Sequence, residues 1–327
     1  GAKPRPLPGN PFAGALIDST QALEVNEFPS SAVIIGAGAI ALEFASMWNA
    51  AGSKVTLLIR KDRVLSAWDR RAGTTLTREL KRHGVNIITR ASVTHVDTGA
   101  NLGATVHYTR EGQDGEQSVW GEIALVAIGR DPITDPAWGV TIDDHGHVAT
   151  DAYGRTDKPG VWAVGDVTAG HALAHRAFEQ GIVIAETIAG LNPKPVDEAT
   201  VPQIVFSFPE AASVGLTVEQ AQAREDLIEI KETNYPMLAN ARMLMSGTAG
   251  SLTLVSGCDA TNPDTPRVLG VHMVSQMASD IIAEAEQLVG NRVPLADAAR
   301  LVHPHPTFSE TLGEALLKAD GRPLHTR

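Results

Sequence analysis

The sequence has a single cysteine, Cys258, among 327 residues. One thiol closes no internal disulfide and supplies neither a CxxC metal site nor a dithiol redox pair. Its context, "VSGCDATNPDTP", reads as a strand running into a hairpin loop with no base beside it, so Cys258 is expected to be structural. Positive charge is also short, with 27 basic against 38 acidic residues and a net charge of -11. That balance excludes wholesale binding to a nucleic-acid backbone, although a local basic spot can still hold one phosphate. No apolar run reaches about 18 residues, so no membrane-spanning helix is expected. No signal peptide is visible, and the composition fits a cytoplasmic protein. No set of metal ligands, tandem repeat or low-complexity tract stands out. What remains is ordinary globular composition, 43% hydrophobic and 20% charged, at a length that favours two or three domains.

The chain opens on "GAKPRPLPGNP", a proline-rich stretch that reads as a linker, and "DSTQALEVNEFPS" suggests a short helix capped around Asp18, Ser19 and Thr20. "SAVIIGAGAIALEFASMWNAAGSKVTLLIR" reads as strand, glycine turn, helix and second strand, and "RRAGTTLTRELKRHGVNIITRASV" repeats the helix–strand pattern. Strands alternating with helices imply a parallel sheet with right-handed crossovers. Between about Val93 and Ile128 the alternation of "ATVHYT" and "EQSVW" suggests an inserted antiparallel meander. "GVWAVGDV" is expected to be a buried strand, followed by a helix in "ALAHRAFEQGIVIAETIAG". Polar, proline-bearing residues 193–201 mark a boundary. Beyond it "EIKETNYPM", "GSLTLVSG" and "RVLGVHMVS" read as antiparallel strands, and "ASDIIAEAEQLVG", "PLADAARLV" and "SETLGEALLKAD" as amphipathic helices. The fold class is therefore an α/β portion followed by an α+β portion.

The glycine turn after Val33-Ile34-Ile35 is GxGxxA at the opening of a helix. Gly36 permits the tight turn, Gly38 lets backbone approach a pyrophosphate, and small Ala41 allows close helix–strand packing, with the helix N-terminus facing the phosphate charge. With its full βαβ context this is a dinucleotide site. Binders of unphosphorylated ribose usually end the second strand with an acid. Here "KVTLLIRKDRVL" has Ile59 there, followed by Arg60 and Lys61. A guanidinium and an ammonium suit a 2′-phosphate, which gives a lean to NADP over NAD; the alternative is a solvated basic strand end.

Several stretches together resemble the flavin-dependent pyridine nucleotide–disulfide oxidoreductases. "TDKPGVWAVGDV" is similar to that family's second flavin motif, which implies that Asp166 accepts hydrogen bonds from the ribityl chain of FAD. "HALAHRAFEQG" resembles the following helix, whose N-terminal backbone around Leu173, Ala174 and His175 faces the flavin ring. "AIGRDPIT" resembles the GRxPN turn, here Gly129 and Arg130, between the nicotinamide and flavin segments. Glu43 matches a residue that pairs with a lysine near the flavin, beside its plain reading as an ordinary helix glutamate. "HPHPTFSETLGEA" is most like the dihydrolipoamide dehydrogenase branch and implies a histidine base, His305, oriented by Glu310, with a cis His305–Pro306 bond. His303 matches a less critical first histidine.

The resemblance implies a Rossmann-like NAD(P)-binding domain with part of an FAD domain, followed by an α+β dimerisation domain. The implied boundaries are a linker from a truncated FAD domain at 1–27, the NAD(P)-binding domain at 28–130, a second FAD-binding segment at 131–198 and the dimerisation domain at 199–327. It further implies FAD and NAD(P) as cofactors, a homodimer, and a dithiol or disulfide substrate, lipoamide or a low-molecular-weight thiol. The family's N-terminal flavin domain, with its own GxGxxG and its CxxxxC, is not in this sequence. The expectation is therefore a piece of a longer enzyme, inactive by itself. The basic strand end departs from the lipoamide branch and is closer to glutathione reductase, which leaves an NADPH-dependent reductase of a small disulfide as the alternative. A dinucleotide-binding dimerisation module is the non-enzymatic alternative. "GRPLHTR" lacks the terminal cysteine pair of mercuric reductase.

Overall fold

Four apolar residues after Ser31, Ala32–Ile35, stop at Gly36 because the Ala127 carbonyl leaves no room for a side chain; strand, turn and helix follow from that point. A computed structural model describes residues 1–99 and 103–326. In the first part of the chain the strands are β1 (Ala2–Pro4), β2 (Leu16–Ile17), β3 (Ser31–Ile35), β4 (Lys54–Leu58) and β5 (Asn86–Ile88). Next come β6 (Ala91–Asp97), β7 (Ala104–Arg110), β8 (Gln117–Gly121), β9 (Ile123–Val126) and β10 (Arg130–Pro132). The later strands are β11 (Gln203–Val205), β12 (Glu210–Gly215), β13 (Leu227–Pro236), β14 (Ser251–Asp259) and β15 (Asn262–Ser275). The helices are α1 (Ser19–Leu23), α2 (Ala39–Ala50), α3 (Arg70–Arg82), α4 (Ala174–Ile188) and α5 (Val218–Gln222). Four more, α6 (Ala241–Ser246), α7 (Ala278–Gly290), α8 (Leu295–Ala298) and α9 (Glu310–Ala319), complete the set among the described residues.

The chain divides into two compact units, one of residues 1–5 and 129–201, the other of 6–128 and 202–327. In the larger unit, β2-β9-β3-β4-β5 form a parallel sheet, the arrangement expected of alternating strands and helices. α2 and α3 bury Leu42, Trp48, Leu76 and Leu80 in the same core as Ile34, Leu57 and Ile59. The expected meander is present as β6-β7-β8, with residues 100–102 outside the described set. A second sheet, β11-β12-β15-β14-β13, is antiparallel throughout and packs Leu254, Val271 and Met273 against Ile282 of α7 and Leu316 of α9. Val205, Ala211 and Val274 of that sheet also join the core around α2 and α3, which ties the α/β and α+β portions of this unit together. Asp18 caps α1 in a capping box with Gln21, as the sequence suggested.

The smaller unit holds β1 paired with β10, then turns, then α4. Here one expectation fails. "GVWAVGDV" is not a buried strand: Val161–Val164 have only a single bridge, Arg155 to Trp162, and residues 165–167 form a 3-10 turn. Apolar side chains alone do not make a strand; a ladder partner is required, and among the described residues only 154–156 run beside this segment, through that one bridge, leaving Val164 exposed. Among the described residues no helix is long and apolar enough to cross a membrane.

Candidate active site

The dinucleotide turn is built by two glycines for different reasons. Gly36 sits at φ 144°, and a Cβ there would lie 2.2 Å from the Ala127 carbonyl oxygen, so backbone packing alone forces glycine. Gly38 is the N-cap of α2 in extended backbone that any residue adopts, and a Cβ there would meet nothing within 4 Å. Protein packing does not call for glycine there, and the space beside it is open to a ligand. The helix has no side-chain cap and no acid in its first turn, which leaves its N–H groups facing that open space. Ala41 is fully buried beneath Gly36, close enough that a larger side chain would lift the helix off the strand. The residues fit a pyrophosphate.

At the end of β4, Ile59 is turned into the core, so the first side chain to reach solvent is Arg60, followed by exposed Lys61. Neither forms an ion pair among the described residues, whereas the next two residues pair with each other, Arg63 to Asp62 at 3.0 Å. Glu43, on the third position after Ile40 of α2, accepts the Phe206 backbone N–H at 3.0 Å through Oε1. That contact ties α2 to the residue following β11 and is a use of Glu43 that the sequence reading did not contain.

In the smaller unit, Gly129 adopts φ 131° and its carbonyl accepts the Arg5 N–H at 3.0 Å, while Arg130 enters β10 and donates to the Ala2 carbonyl. Asp166 lies half-buried in the turn after Gly165, whose φ is 78° and whose N–H donates to Gln180 Oε1 at 2.9 Å. The Asp166 carboxylate has no partner among the described residues, so both oxygens remain able to accept from a hydroxyl-bearing ligand. Leu173 is the N-cap of α4, without a side-chain cap, and Ala174 and His175 at the first turn are exposed. Buried Arg176 holds Glu198 at 2.5 Å and the Ala169 carbonyl, which fixes the loop between Asp166 and α4. These residues fit their share of a flavin site. A separate cavity of about 390 Å³ in this unit is lined by Asp143, Asp151, Arg176, Gln180 and Glu198, and includes none of the residues expected at the cofactor.

At the other end of the chain, the proline turn delivers a side-chain pair. Glu310 opens α9, and its Oε1 lies 2.8 Å from His305 Nδ1 while its Oε2 accepts the Thr307 N–H at 2.7 Å. The His305–Pro306 bond is cis. The Glu310 side chain is 18% exposed and the His305 side chain 70% exposed. With Nδ1 engaged by the carboxylate, Nε2 is the nitrogen presented outward. Burial pushes the Glu310 carboxyl up, but the Thr307 N–H and His305 outweigh it and hold it below the ordinary carboxylate range. His303 is differently employed: its Nε2 lies 2.9 Å from Glu284 Oε1, and that carboxylate raises the imidazole above its usual value. Gly313 on α9 admits this ring, since a Cβ there would fall 2.4 Å from His303 Nδ1. Glu284 and Gly313 were not anticipated, because they sit 19 and 10 positions from the histidine they serve. Cys258 is buried on β14, and burial raises its thiol, as suits a structural role.

Residues 1–181 match the family described as pyridine nucleotide-disulphide oxidoreductase, and residues 201–316 match its dimerisation domain. The chain belongs to the pyridine nucleotide-disulphide oxidoreductases. Among its family relatives, a dihydrolipoyl dehydrogenase of Cupriavidus necator is 37% identical, covering 99% of this chain and 68% of the relative. One from Bacillus subtilis is 35% identical with the same coverage. Of solved structures, LpdA from Mycobacterium tuberculosis superposes with a TM-score of 0.85 at 27% identity, over 98% of this chain and 68% of that one. The HOCl-induced flavoprotein disulfide reductase RclA from Escherichia coli gives 0.83 at 27%, over 97% and 71%. Membership of this oxidoreductase family carries with it the use of FAD and a pyridine nucleotide.

Proposed function

We propose that this chain supplies the pyridine-nucleotide site, a flavin segment and the acid–base pair of a dihydrolipoyl dehydrogenase. The observation that carries the reading is the His305–Glu310 contact at 2.8 Å, with Nδ1 held and Nε2 outward. A dithiol substrate must lose a proton before its sulfur can attack a disulfide, and a neutral imidazole with a carboxylate behind it takes that proton at Nε2 and returns it later. Glu310 fixes the tautomer and stabilises the imidazolium; the Thr307 N–H keeps the carboxylate in place.

FAD and pyridine nucleotide, when bound, supply the hydride chemistry. Gly36, Gly38 and Ala41 would hold the pyrophosphate of the nucleotide, and Asp166 with the backbone at Leu173, Ala174 and His175 would hold the flavin. Gly129 and Arg130 would lie in the chain between the two segments, and Glu43 would pair with a lysine near the flavin, as the family resemblance implies. The one cysteine of these 327 residues is buried Cys258, so the redox disulfide must come from outside this sequence. A homodimer through residues 199–327 is part of the proposal, supported by the exposed apolar side chains of Leu238, Leu244, Met245 and Val302.

A second reading rests on Arg60 and Lys61. Exposed and without an acidic partner among the described residues, they favour NADP(H) and hence a reductase of a low-molecular-weight disulfide. Steady-state rates of the native enzyme carrying this chain, with NAD⁺ or NADP⁺ and dihydrolipoamide, against NADH or NADPH and glutathione disulfide, separate the two. Turnover of dihydrolipoamide is the expected result; turnover of the glutathione-type disulfide alone would replace the first reading with the second.

A further inference from the structure

The meander β6-β7-β8 carries a side-chain cluster that neither the dinucleotide turn nor the His305–Glu310 pair uses. His95 and Asp97 are two apart on β6, so the pleat sends both to one face. In the ladder His95 lies directly opposite His107 of β7, and the two imidazoles stack with centroids 4.1 Å apart and planes 6° from parallel. Asp97 Oδ2 lies 3.1 Å from His107 Nε2 and 3.9 Å from His95 Nε2. At the opposite edge of the stack, Glu116 lies 3.7 Å from His95 Nδ1 through Oε1 and 3.7 Å from His107 Nδ1 through Oε2. The Thr94 hydroxyl donates to that carboxylate at 2.6 Å.

We propose that His95, His107 and Asp97 form a binding site for a divalent transition-metal ion, with Zn²⁺ as the representative. The donor set is two imidazole nitrogens and one carboxylate oxygen, and the ligand atoms lie within 4.8 Å of one another. Tetrahedral zinc with bonds of about 2.0–2.1 Å separates its ligand atoms by roughly 3.3 Å. The two carboxylate–imidazole distances, 3.1 and 3.9 Å, bracket that value. Parallel rings aim their lone pairs side by side, so binding tilts the two Nε2 edges toward each other, a side-chain motion that the exposed rims of the hairpin permit. Glu116 then stands behind both Nδ1 edges, where an acceptor fixes the tautomer of a ligating histidine. Asp97 and Glu116 bring two carboxylates to opposite edges of the ring pair, a setting that attracts a cation. Three protein ligands leave a fourth position open to water. The ion clamps β6 to β7, and by mass action it stabilises the folded hairpin.

The test is calorimetric titration of ZnCl₂ into chelator-stripped full chain, beside thermal melts with and without zinc. The wild type is expected to bind one equivalent that is lost or weakened, on the order of tenfold or more, in His95→Ala and in Asp97→Asn. Both residues are exposed, so the fold should survive either substitution although the ring stack is lost in His95→Ala, and circular dichroism of each variant verifies the fold. The zinc-induced rise in melting temperature should vanish in His95→Ala/His107→Ala. Undiminished affinity and stoichiometry in that double variant, or no zinc binding by the wild type, would overturn the proposal.

Discussion

At position 305 the imidazole faces two demands, a fixed tautomer and an open nitrogen, and Glu310 meets both by engaging Nδ1 alone. Replacing His305 with Gln removes the proposed base and should lower turnover with dihydrolipoamide by roughly a hundred- to ten-thousand-fold, with KM for the dithiol little changed. Glu310→Gln keeps a hydrogen-bond acceptor but loses the charge, so a smaller fall in kcat is expected, read in the same assay. The sign of the pH effect follows from the depressed Glu310 carboxyl. Its contribution is fully present above the ordinary value of 4.5 and is lost only as pH falls through the lower folded value. Specificity can be tested at the strand end. Arg60→Glu should raise KM for NADP(H) by roughly tenfold to a hundredfold, the worth of one charge-assisted hydrogen bond, while KM for NAD(H) falls or stays level. An unchanged NADP(H) value would return Arg60 to the role of a solvated strand end. The His305–Glu310 contact was legible through the family resemblance of "HPHPTFSE", a local segment that holds both partners five residues apart. The Glu43 contact was not, because Phe206 comes 163 residues later and no local pattern announces it.

Elements whose cause is local were legible; those that depend on a distant partner were not. The strand–turn–helix from Ser31 to Ala50 is dictated by apolar run, glycine turn and helix formers, and the meander by alternation. "GVWAVGDV" has the same apolar run without the ladder, and β-structure needs the ladder. His95, Asp97 and His107 escaped notice for a related reason: only the β6–β7 register brings position 107 beside 95, and a bulge between Val93 and His95 shifts that register. The two glycines of the dinucleotide turn give a direct test of local cause. Gly36→Ala places a Cβ against the Ala127 carbonyl at positive φ, and should cost about 2–5 kcal/mol in urea unfolding. Gly38→Ala meets open space and ordinary backbone, so stability should move by less than about 0.5 kcal/mol. Nucleotide affinity in that variant should nonetheless fall roughly tenfold or more, because the new methyl would occupy the place proposed for the pyrophosphate. Equal loss of stability in both variants would mean that Gly38 serves packing and not a ligand.

For the larger unit as a whole, two histidines set opposing limits on stability. His272 is buried in the antiparallel sheet, its Nε2 3.0 Å from the Leu216 carbonyl and its Nδ1 2.7 Å from Ser213 Oγ. The carbonyl only accepts, so Nε2 carries the proton and Nδ1 receives the serine hydroxyl: the ring is neutral, and burial depresses its basicity. Below the ordinary imidazole value of 6.5 the unfolded chain takes up a proton that the folded chain refuses, so stability falls as pH falls. His303 runs the other way. Glu284 raises its value, so its stabilising contribution is complete below 6.5 and is lost as pH rises through the raised folded value. Thermal melts across the range from about pH 5 to about pH 9 should therefore decline on both sides. His303→Gln should flatten the alkaline side, lowering the melting temperature near neutrality by about 2–4 °C, and leave the acid side intact. His303 also pins the turn that presents His305, through the same ring that Gly313 admits, so the alkaline decline in melting should be accompanied by a parallel loss of dihydrolipoamide turnover. A variant that loses the alkaline decline in stability but keeps it in turnover would show that the loss of activity arises elsewhere than in the His303–Glu284 anchor.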